Sequence, residues 1–198
     1  MTQATRRNLL VPVSLSLAVL LAGCGGNATR YVVEAEPMAA PAAAKQRLRV
    51  GSIELREVVL PAYGEDSKLL VEGKDGGLTP VRGSEWADAS PRAITAELAR
   101  SLDLRSTASV AAEPWPLLDG PDIRLEVRID RLIARADGAF LLGGQYAVAS
   151  PDGRLRDFLE RFEISVPLAD QKPATVARAY GAALDGLGSQ ILRRLARR

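Results

Sequence analysis

Three segments in the second half of the chain alternate between apolar and polar residues. In the first of them, the apolar positions that share one face are Ile123, Leu125, Val127 and Ile129. A period of two with charged residues in between predicts a β-strand with one buried side. Residues 139–149 and 162–168 follow after short turns and carry similar apolar faces. We therefore predict three antiparallel strands. In the second of them, Gly143 and Gly144 either weaken the strand or mark a bulge.

Two segments have the spacing of helices with one apolar face. In the last segment, which Pro173 opens, the apolar positions are Val176, Tyr180, Leu184, Leu187, Ile191 and Leu195. The other helix is predicted to begin at Pro91, with Ser90 as its N-cap. A one-sided sheet and one-sided helices bury each other most simply as two layers. The predicted fold class is α+β, with a mainly antiparallel sheet, the two main helices on one face, and a single domain over residues 47–198.

The first half of that domain is less regular. Apolar residues within 48–55 predict a first strand that is irregular at Gly51 and ended by Pro61. Residues 68–72 predict a second strand, and residues 78–81 predict a short third one.

The chain begins with the signature of an export signal. Arg6 and Arg7 precede an apolar run over residues 9–21, which is too short for a membrane-spanning helix of about 20 apolar residues. Such a run is typical of the centre of a signal peptide. Residues 1–23 resemble a bacterial lipoprotein signal peptide, whose lipobox is formed by Leu21, Ala22, Gly23 and Cys24.

That resemblance implies that Cys24, the only cysteine of the chain, becomes the first residue of the mature protein. It also implies that Cys24 carries a diacylglycerol group and an N-linked acyl chain such as palmitate, and we expect no other cofactor. An ordinary secretory peptide with an incidental cysteine stays open as the alternative. The choice between general and twin-arginine export stays open as well.

Residues 24–46 are mostly small and rich in alanine and proline. They predict a lipidated N-terminus followed by a flexible tether, which spans up to about 70 Å when fully stretched. Within this segment, Tyr31, Val32 and Val33 are the exception, because they predict a short edge strand.

Charge and composition narrow the possible functions. The chain has 26 Lys and Arg against 24 Asp and Glu, and removing Arg6 and Arg7 with the signal peptide leaves 24 against 24. This balance argues against a nucleic-acid partner. Histidine is absent, which excludes Ser-His-Asp and Cys-His catalysis and removes the commonest transition-metal ligand. We expect no catalytic residue and no metal site, although carboxylates keep an enzyme open.

Several landmarks occur in the order typical of one family. They are Tyr31, residues 59–63, 69–71, 85–88, 113–115, 123–130 and 152–153, and a final helix with Tyr180, Ala183, Leu184 and Leu187. With the lipobox, they resemble the ABC-transport auxiliary lipoproteins of the paraquat-inducible-protein-C type, a domain-of-unknown-function family, over most of residues 30–198. Residues 64–67 and the late position of Pro91 depart from the family pattern.

The resemblance implies a role beside a lipid transporter that spans the periplasm. The partner would be a substrate-binding protein of the mammalian-cell-entry type, and a homo-oligomer is plausible. Gly25 stands where the inner-membrane retention signal has Asp, which favours the periplasmic face of the outer membrane. Two rival functions stay open, namely a structural envelope lipoprotein that binds cell wall or an assembly machine, and a hydrolase that uses carboxylates.

Five residues are candidate partner contacts: Leu60, Pro61, Tyr63, Trp86 and Trp115. Residues 59–63 predict either a binding edge or ordinary core followed by a strand terminator. The two tryptophans are either partner anchors or plugs of the core. Trp86 is expected in an extra turn just before the first helix. The arginines at the C-terminus either contact anionic groups or lie solvated at a helix end.

Overall fold

The computed structural model of the protein describes residues 28–33 and 45–197. The lipobox, Cys24 and most of the predicted tether lie outside these residues. The helices are α1 (Pro91–Arg105) and α2 (Pro173–Ala196), and a 3-10 helix spans Ala62–Gly64. The strands are β1 (Thr29–Val32), β2 (Ser52–Leu55), β3 (Lys68–Glu72), β4 (Leu78–Asp88), β5 (Ser109–Ala112), β6 (Ile123–Ala134), β7 (Ala139–Ala149) and β8 (Phe158–Pro167).

The larger sheet contains the predicted meander. Its strand order is β5-β2-β6-β7-β8, and β6, β7 and β8 are antiparallel to one another. The register of this pairing shifts between Ile129 and Arg131, opposite Gly144 and Gly143. The irregularity therefore lies where it was predicted, but its extra residue is Asp130 on β6 rather than a glycine of β7. Strand β2 runs parallel to both of its neighbours. Strand β5 was not predicted, because four residues of Ser, Val and Ala give too short a pattern.

The first predicted strand is shorter than its sequence indicated. Leu48 and Val50 are buried but precede the regular pairing, which begins at Ser52 and ends at Leu55. Pro61 does not end the strand, because it lies six residues later and precedes the 3-10 helix. The apolar character of Leu48 and Val50 therefore reflects their burial in the core and not continuous backbone pairing in a strand.

The smaller sheet has the order β1-β4-β3. Strand β4 runs over 11 residues and includes Trp86, so the expected position of Trp86 in a turn before α1 is wrong. The strand predicted at residues 78–81 is thus the start of β4. Its continuation was not predicted, because most side chains of β4 are exposed and leave little alternation to detect. Gly83 interrupts β4 with a φ of 66°, a conformation that glycine adopts without steric cost.

Two helices cover the inner face of the larger sheet. Helix α2 packs against β7 and β8, and α1 packs against α2 and β5. Helix α1 begins as predicted, since the Ser90 hydroxyl accepts a hydrogen bond from the Ala93 amide at 3.2 Å. The shared core contains all six predicted apolar positions of α2 and the four of β6. The α+β prediction is therefore confirmed, with the strands divided between two sheets.

A short junction connects the two sheets. The side-chain amide of Gln171 donates to the carbonyl oxygens of Glu72, Ala134 and Arg135 at 3.0, 3.3 and 3.1 Å. These carbonyls belong to the ends of β3 and β6. Strand β1, which begins five residues after Cys24 in sequence, is part of the folded body, and Val33 directly after it is buried in the common core.

Candidate functional site: an aromatic cleft and an apolar loop

Tyr63 and Trp86, two of the predicted contact residues, lie in one cleft between the sheets. The residues that line this aromatic cleft are Tyr63, Gly64, Lys68, Leu70, Trp86, Leu132, Ala134, Phe140, Val176 and Tyr180. Its free volume is about 30 Å³, which is room for one or two water molecules. The cleft is therefore a packed aromatic junction with a small opening.

Tyr180 is the centre of the aromatic cleft. Its ring stacks on Phe140 with centroids 5.4 Å apart and meets Trp86 edge-on at 5.8 Å. The Tyr180 hydroxyl is buried and has no hydrogen-bond partner within the described part of the chain. Burial raises the pKa of this phenol, since the charged form would lose its hydration. The hydroxyl is thus a neutral polar atom in apolar surroundings.

The rest of the predicted binding edge is engaged within the fold. Leu60 is buried and Pro61 is half-buried. The Val59 amide donates to the Val127 carbonyl at 3.1 Å, and the Val59 carbonyl accepts from Ile129 at 2.9 Å. Because these backbone groups already pair with β6, Val59 does not offer a free strand edge. Tyr63 is also tied to β6, as its hydroxyl accepts from the Leu132 amide at 3.1 Å.

Trp115 lies apart from the aromatic cleft, on a loop between β5 and β6. Its indole N–H donates to the Asp119 carbonyl at 2.7 Å, which closes the loop on itself. Leu117 and Leu118 project from this loop with exposed fractions of 62% and 106%. We call residues 113–121 the apolar loop. Exposed leucines of this kind on a protein surface are typical of contact sites.

A buried carboxylate anchors the base of the apolar loop. Glu54 is 7% exposed, accepts from the Trp115 amide at 3.2 Å, and pairs with Arg124 at 2.9 Å. Arg56 pairs with Glu113 at 2.6 Å just beside it. These bonds fix the start of the loop, at Glu113 and Trp115, beside β2, so Leu117 and Leu118 follow a supported segment.

Sequence reasoning missed several of these residues. It assigned Phe140 and Tyr180 to separate apolar faces, and only the packing of α2 on β7 brings their rings together. Leu117 and Leu118 did leave a signal, because two adjacent leucines between Pro116 and Gly120 have no place in a strand or helix.

The C-terminal arginines behave differently from one another. The Arg194 guanidinium pairs with Glu160 and lies 4.7 Å above the Phe158 ring, so it has a structural role. Arg193 and Arg197 are exposed, and Arg198 lies outside the described residues.

The carboxyl groups with a shifted pKa are shifted downward. A hydrogen bond from Ser90 lowers the pKa of Asp88, and one from Lys172 lowers that of Asp170 to about 2. A carboxylate hydrolase would need a raised pKa in its general acid. Among residues 28–33 and 45–197, no group of three acidic, histidine or cysteine side chains is placed to hold a metal ion.

Neither helix of the described chain combines the length and apolar character needed to cross a bilayer.

The comparison with family models gives one match. The sequence model described as the ABC-type transport auxiliary lipoprotein component matches residues 31–192. No curated protein matches the chain. A crystal structure of an uncharacterized protein is similar at a TM-score of 0.62 and 16% identity, over 76% of this chain and 95% of that one.

Two further solved structures match the chain less or equally well. A DUF330-family protein from Xanthomonas campestris has a TM-score of 0.62 and 15% identity, over 83% of this chain and 92% of its own. A PelC dodecamer from Paraburkholderia phytofirmans reaches only 0.40 at 11% identity, over 75% and 95% of the two chains. Since the family model spans the chain from β1 to the last turns of α2, this chain belongs to the family of ABC-type transport auxiliary lipoprotein components.

Proposed function

We propose that the protein is a non-enzymatic, lipid-anchored auxiliary component of an ABC-type system that moves phospholipids between membranes. It stands on the periplasmic face of the outer membrane, where it docks a substrate-binding protein of the mammalian-cell-entry type. The observation that carries the proposal is the position of the family match, which begins at residue 31, directly behind a lipobox that ends at Cys24.

The anchor follows from the chemistry of the lipobox. A thioether-linked diacylglycerol and an N-acyl chain at Cys24 bury many methylene groups in the bilayer, and two or more chains are needed for stable attachment. The absence of Asp at position 25 supports sorting to the outer membrane.

The apolar loop is the surface that supports partner docking best. Leu117 and Leu118 are among the exposed large apolar residues of the described chain, and they stand together. The loop is held at its base by Glu54, so its side chains lose little conformational freedom on binding. The aromatic cleft is less suitable, because its free volume of about 30 Å³ admits no large side chain.

The first test concerns the anchor. Intact mass spectrometry of the protein extracted from membranes should show diacylglycerol and acyl additions at Cys24. The Cys24→Ala variant should appear in the soluble fraction, because it has no other site for thioether lipidation. An unmodified thiol in the wild-type protein would contradict the proposal.

The second test concerns the partner. A mammalian-cell-entry-type protein should co-purify with the wild-type chain, and replacing Leu117 and Leu118 with Ser should lower its recovery about tenfold or more, as loss of an interface hot spot does. The matched control is Leu159→Ser on β8. The Leu159 side chain is 57% exposed but lies outside the apolar loop, so this replacement should leave the recovery of the partner unchanged. Recovery that is equal in all three proteins would show that the loop is not the docking surface.

A further inference from the structure

Fewer residues separate Cys24 from the folded body than the predicted tether of residues 24–46 suggested. Strand β1 begins at Thr29, five residues after Cys24. Five residues span at most about 17 Å, compared with the roughly 70 Å of a continuous tether over residues 24–46. The remaining part of that segment comes after β1, so it adds nothing to the reach of the anchor.

Several contacts hold β1 in the body. It pairs with β4 in parallel from Thr29 opposite Ser84 to Tyr31 opposite Trp86. Arg30 and Glu85 form an ion pair at 3.7 Å. Val33, at the end of β1, is 6% exposed and belongs to the core. The body therefore cannot move far from the anchor without removing Val33 from the core.

The parallel pairing also gives the direction of the anchor. The N-terminal end of β1 points along the part of β4 that precedes Ser84, toward the turn at residues 73–77 that connects β3 to β4. Leu78 lies six residues before Ser84, which is about 20 Å along an extended strand. This distance is close to the reach of the anchor, so a linker that continues in the direction of β1 brings Cys24 to the level of the turn.

The residues on this side suit a headgroup surface. We call residues 73–82 the hairpin face. The Lys74 and Arg82 side chains are exposed and have no acidic partner within the described chain. The Asp75 carboxylate accepts from the Gly77 amide at 3.1 Å and so is turned back onto the turn. Leu78 is exposed by 36%. Cations beside a small apolar group favour the interface of an anionic bilayer.

The other end of the molecule carries the apolar loop. The hairpin face joins the end of β6 through Gln171, which bonds the Glu72 and Ala134 carbonyls. The apolar loop immediately precedes the first residue of β6, and β6 has 12 residues, a length of about 36 Å. An anchor beside the hairpin face therefore directs the loop away from the bilayer.

We infer that the hairpin face rests on the headgroups of the membrane and that the short linker from Cys24 to β1 holds it there. This inference rests on the proposed lipidation of Cys24. It makes the apolar loop the membrane-distal end, which is where a partner that crosses the periplasm arrives.

The experiment uses the lipidated full chain, in which Cys24 is consumed, so an engineered cysteine is the single free thiol. Lys74→Cys lies in the hairpin face, and Asp152→Cys, in the exposed turn between β7 and β8, is its matched control. Each is labelled with a fluorophore and placed in vesicles of phosphatidylethanolamine and phosphatidylglycerol that carry a nitroxide on the headgroup. Quenching should be several-fold stronger at position 74 than at position 152.

A variant with a longer linker tests whether the short linker causes this orientation. Inserting about 12 Gly and Ser residues between Gly26 and Asn27 lengthens the anchor and should remove most of the difference in quenching. An undiminished difference would overturn the role of the short linker, and equal quenching in the original linker would overturn the orientation. An intact mass without lipid at Cys24 would instead overturn the proposed function, so the two failures are distinguishable.

Discussion

The two sheets of the protein bury very different fractions of their strands. On β6, residues from Ile123 to Ile129 alternate strictly between buried and exposed, and most of β7 is buried. On β4, which is almost as long, Ser84 is the one fully buried residue. The larger sheet forms the core with both helices, whereas the smaller one is attached through β1, the aromatic cleft and Gln171.

Because of this difference in burial, the two sheets are stabilised by different interactions. Apolar burial across a whole face stabilises the larger sheet directly. The smaller sheet buries little, so its position depends on a few specific contacts with α2 and β6. The smaller sheet should therefore open locally before the larger one does.

The largest expected effect is in the larger sheet, where Gly144→Ala should lower the free energy of unfolding by about 2–4 kcal/mol. The added Cβ would overlap the carbonyl oxygen of Arg128 on the neighbouring strand. Gly120→Ala is the control, because nothing lies within 4 Å of its added Cβ. Urea unfolding of both variants measures the difference, and similar stabilities would mean that the bulge adjusts freely.

Gln171→Ala tests the junction between the sheets. Removing its amide leaves the carbonyls of Glu72, Ala134 and Arg135 without this donor, which should cost about 1–2 kcal/mol. Hydrogen exchange should become faster in β3 and β4 and stay unchanged in β7. Gln190→Ala, a half-buried glutamine of α2, is the control. Equal acceleration in both sheets would show that they open as a single unit.

A pair of tyrosine variants compares the aromatic cleft with the larger sheet. Tyr146 donates a hydrogen bond to Glu160 at 2.9 Å, so Tyr146→Phe should destabilise the protein by about 1 kcal/mol. Tyr180→Phe removes a buried hydroxyl without a partner and should be neutral or stabilising by about 1 kcal/mol. Thermal unfolding of both variants gives the comparison. A clear loss of stability in Tyr180→Phe would mean that a bound water satisfies this hydroxyl.

The smallest expected effect is a pH dependence at Asp170, beside Gln171. A hydrogen bond from Lys172 lowers the pKa of this carboxyl from 3.8 to about 2, so folding favours its charged form. The contribution of the Asp170 carboxylate to the free energy of unfolding is present above about pH 4 and is lost as the pH falls toward 2. The stability difference between wild type and Asp170→Asn should shrink over that range and with added salt, since the group lies at the surface. A difference independent of pH would exclude this linkage.

Much of the larger sheet and both helices were predictable because one periodic face determines them. The alternation in β6 and the steps of three and four in α2 reflect burial against a single layer. The same reasoning failed for Trp86, because β4 buries too little to leave a period. The sequence pattern also gave no reason to place Phe140 next to Tyr180. The two residues are 40 positions apart in sequence and meet only through the packing of α2.

Local pattern in the sequence was enough to predict the α+β class, the meander and the capped start of α1. The lipid anchor at Cys24 rests on a contiguous motif and stays a prediction. Three features became visible only in the three-dimensional structure. The strands form two sheets, and the predicted edge at residues 59–63 is paired. The folded body begins at β1, within about 17 Å of Cys24. These features depend on contacts between distant segments. A local hydrophobic period does not encode such contacts, because a strand or helix can bury the same apolar face against many alternative partners.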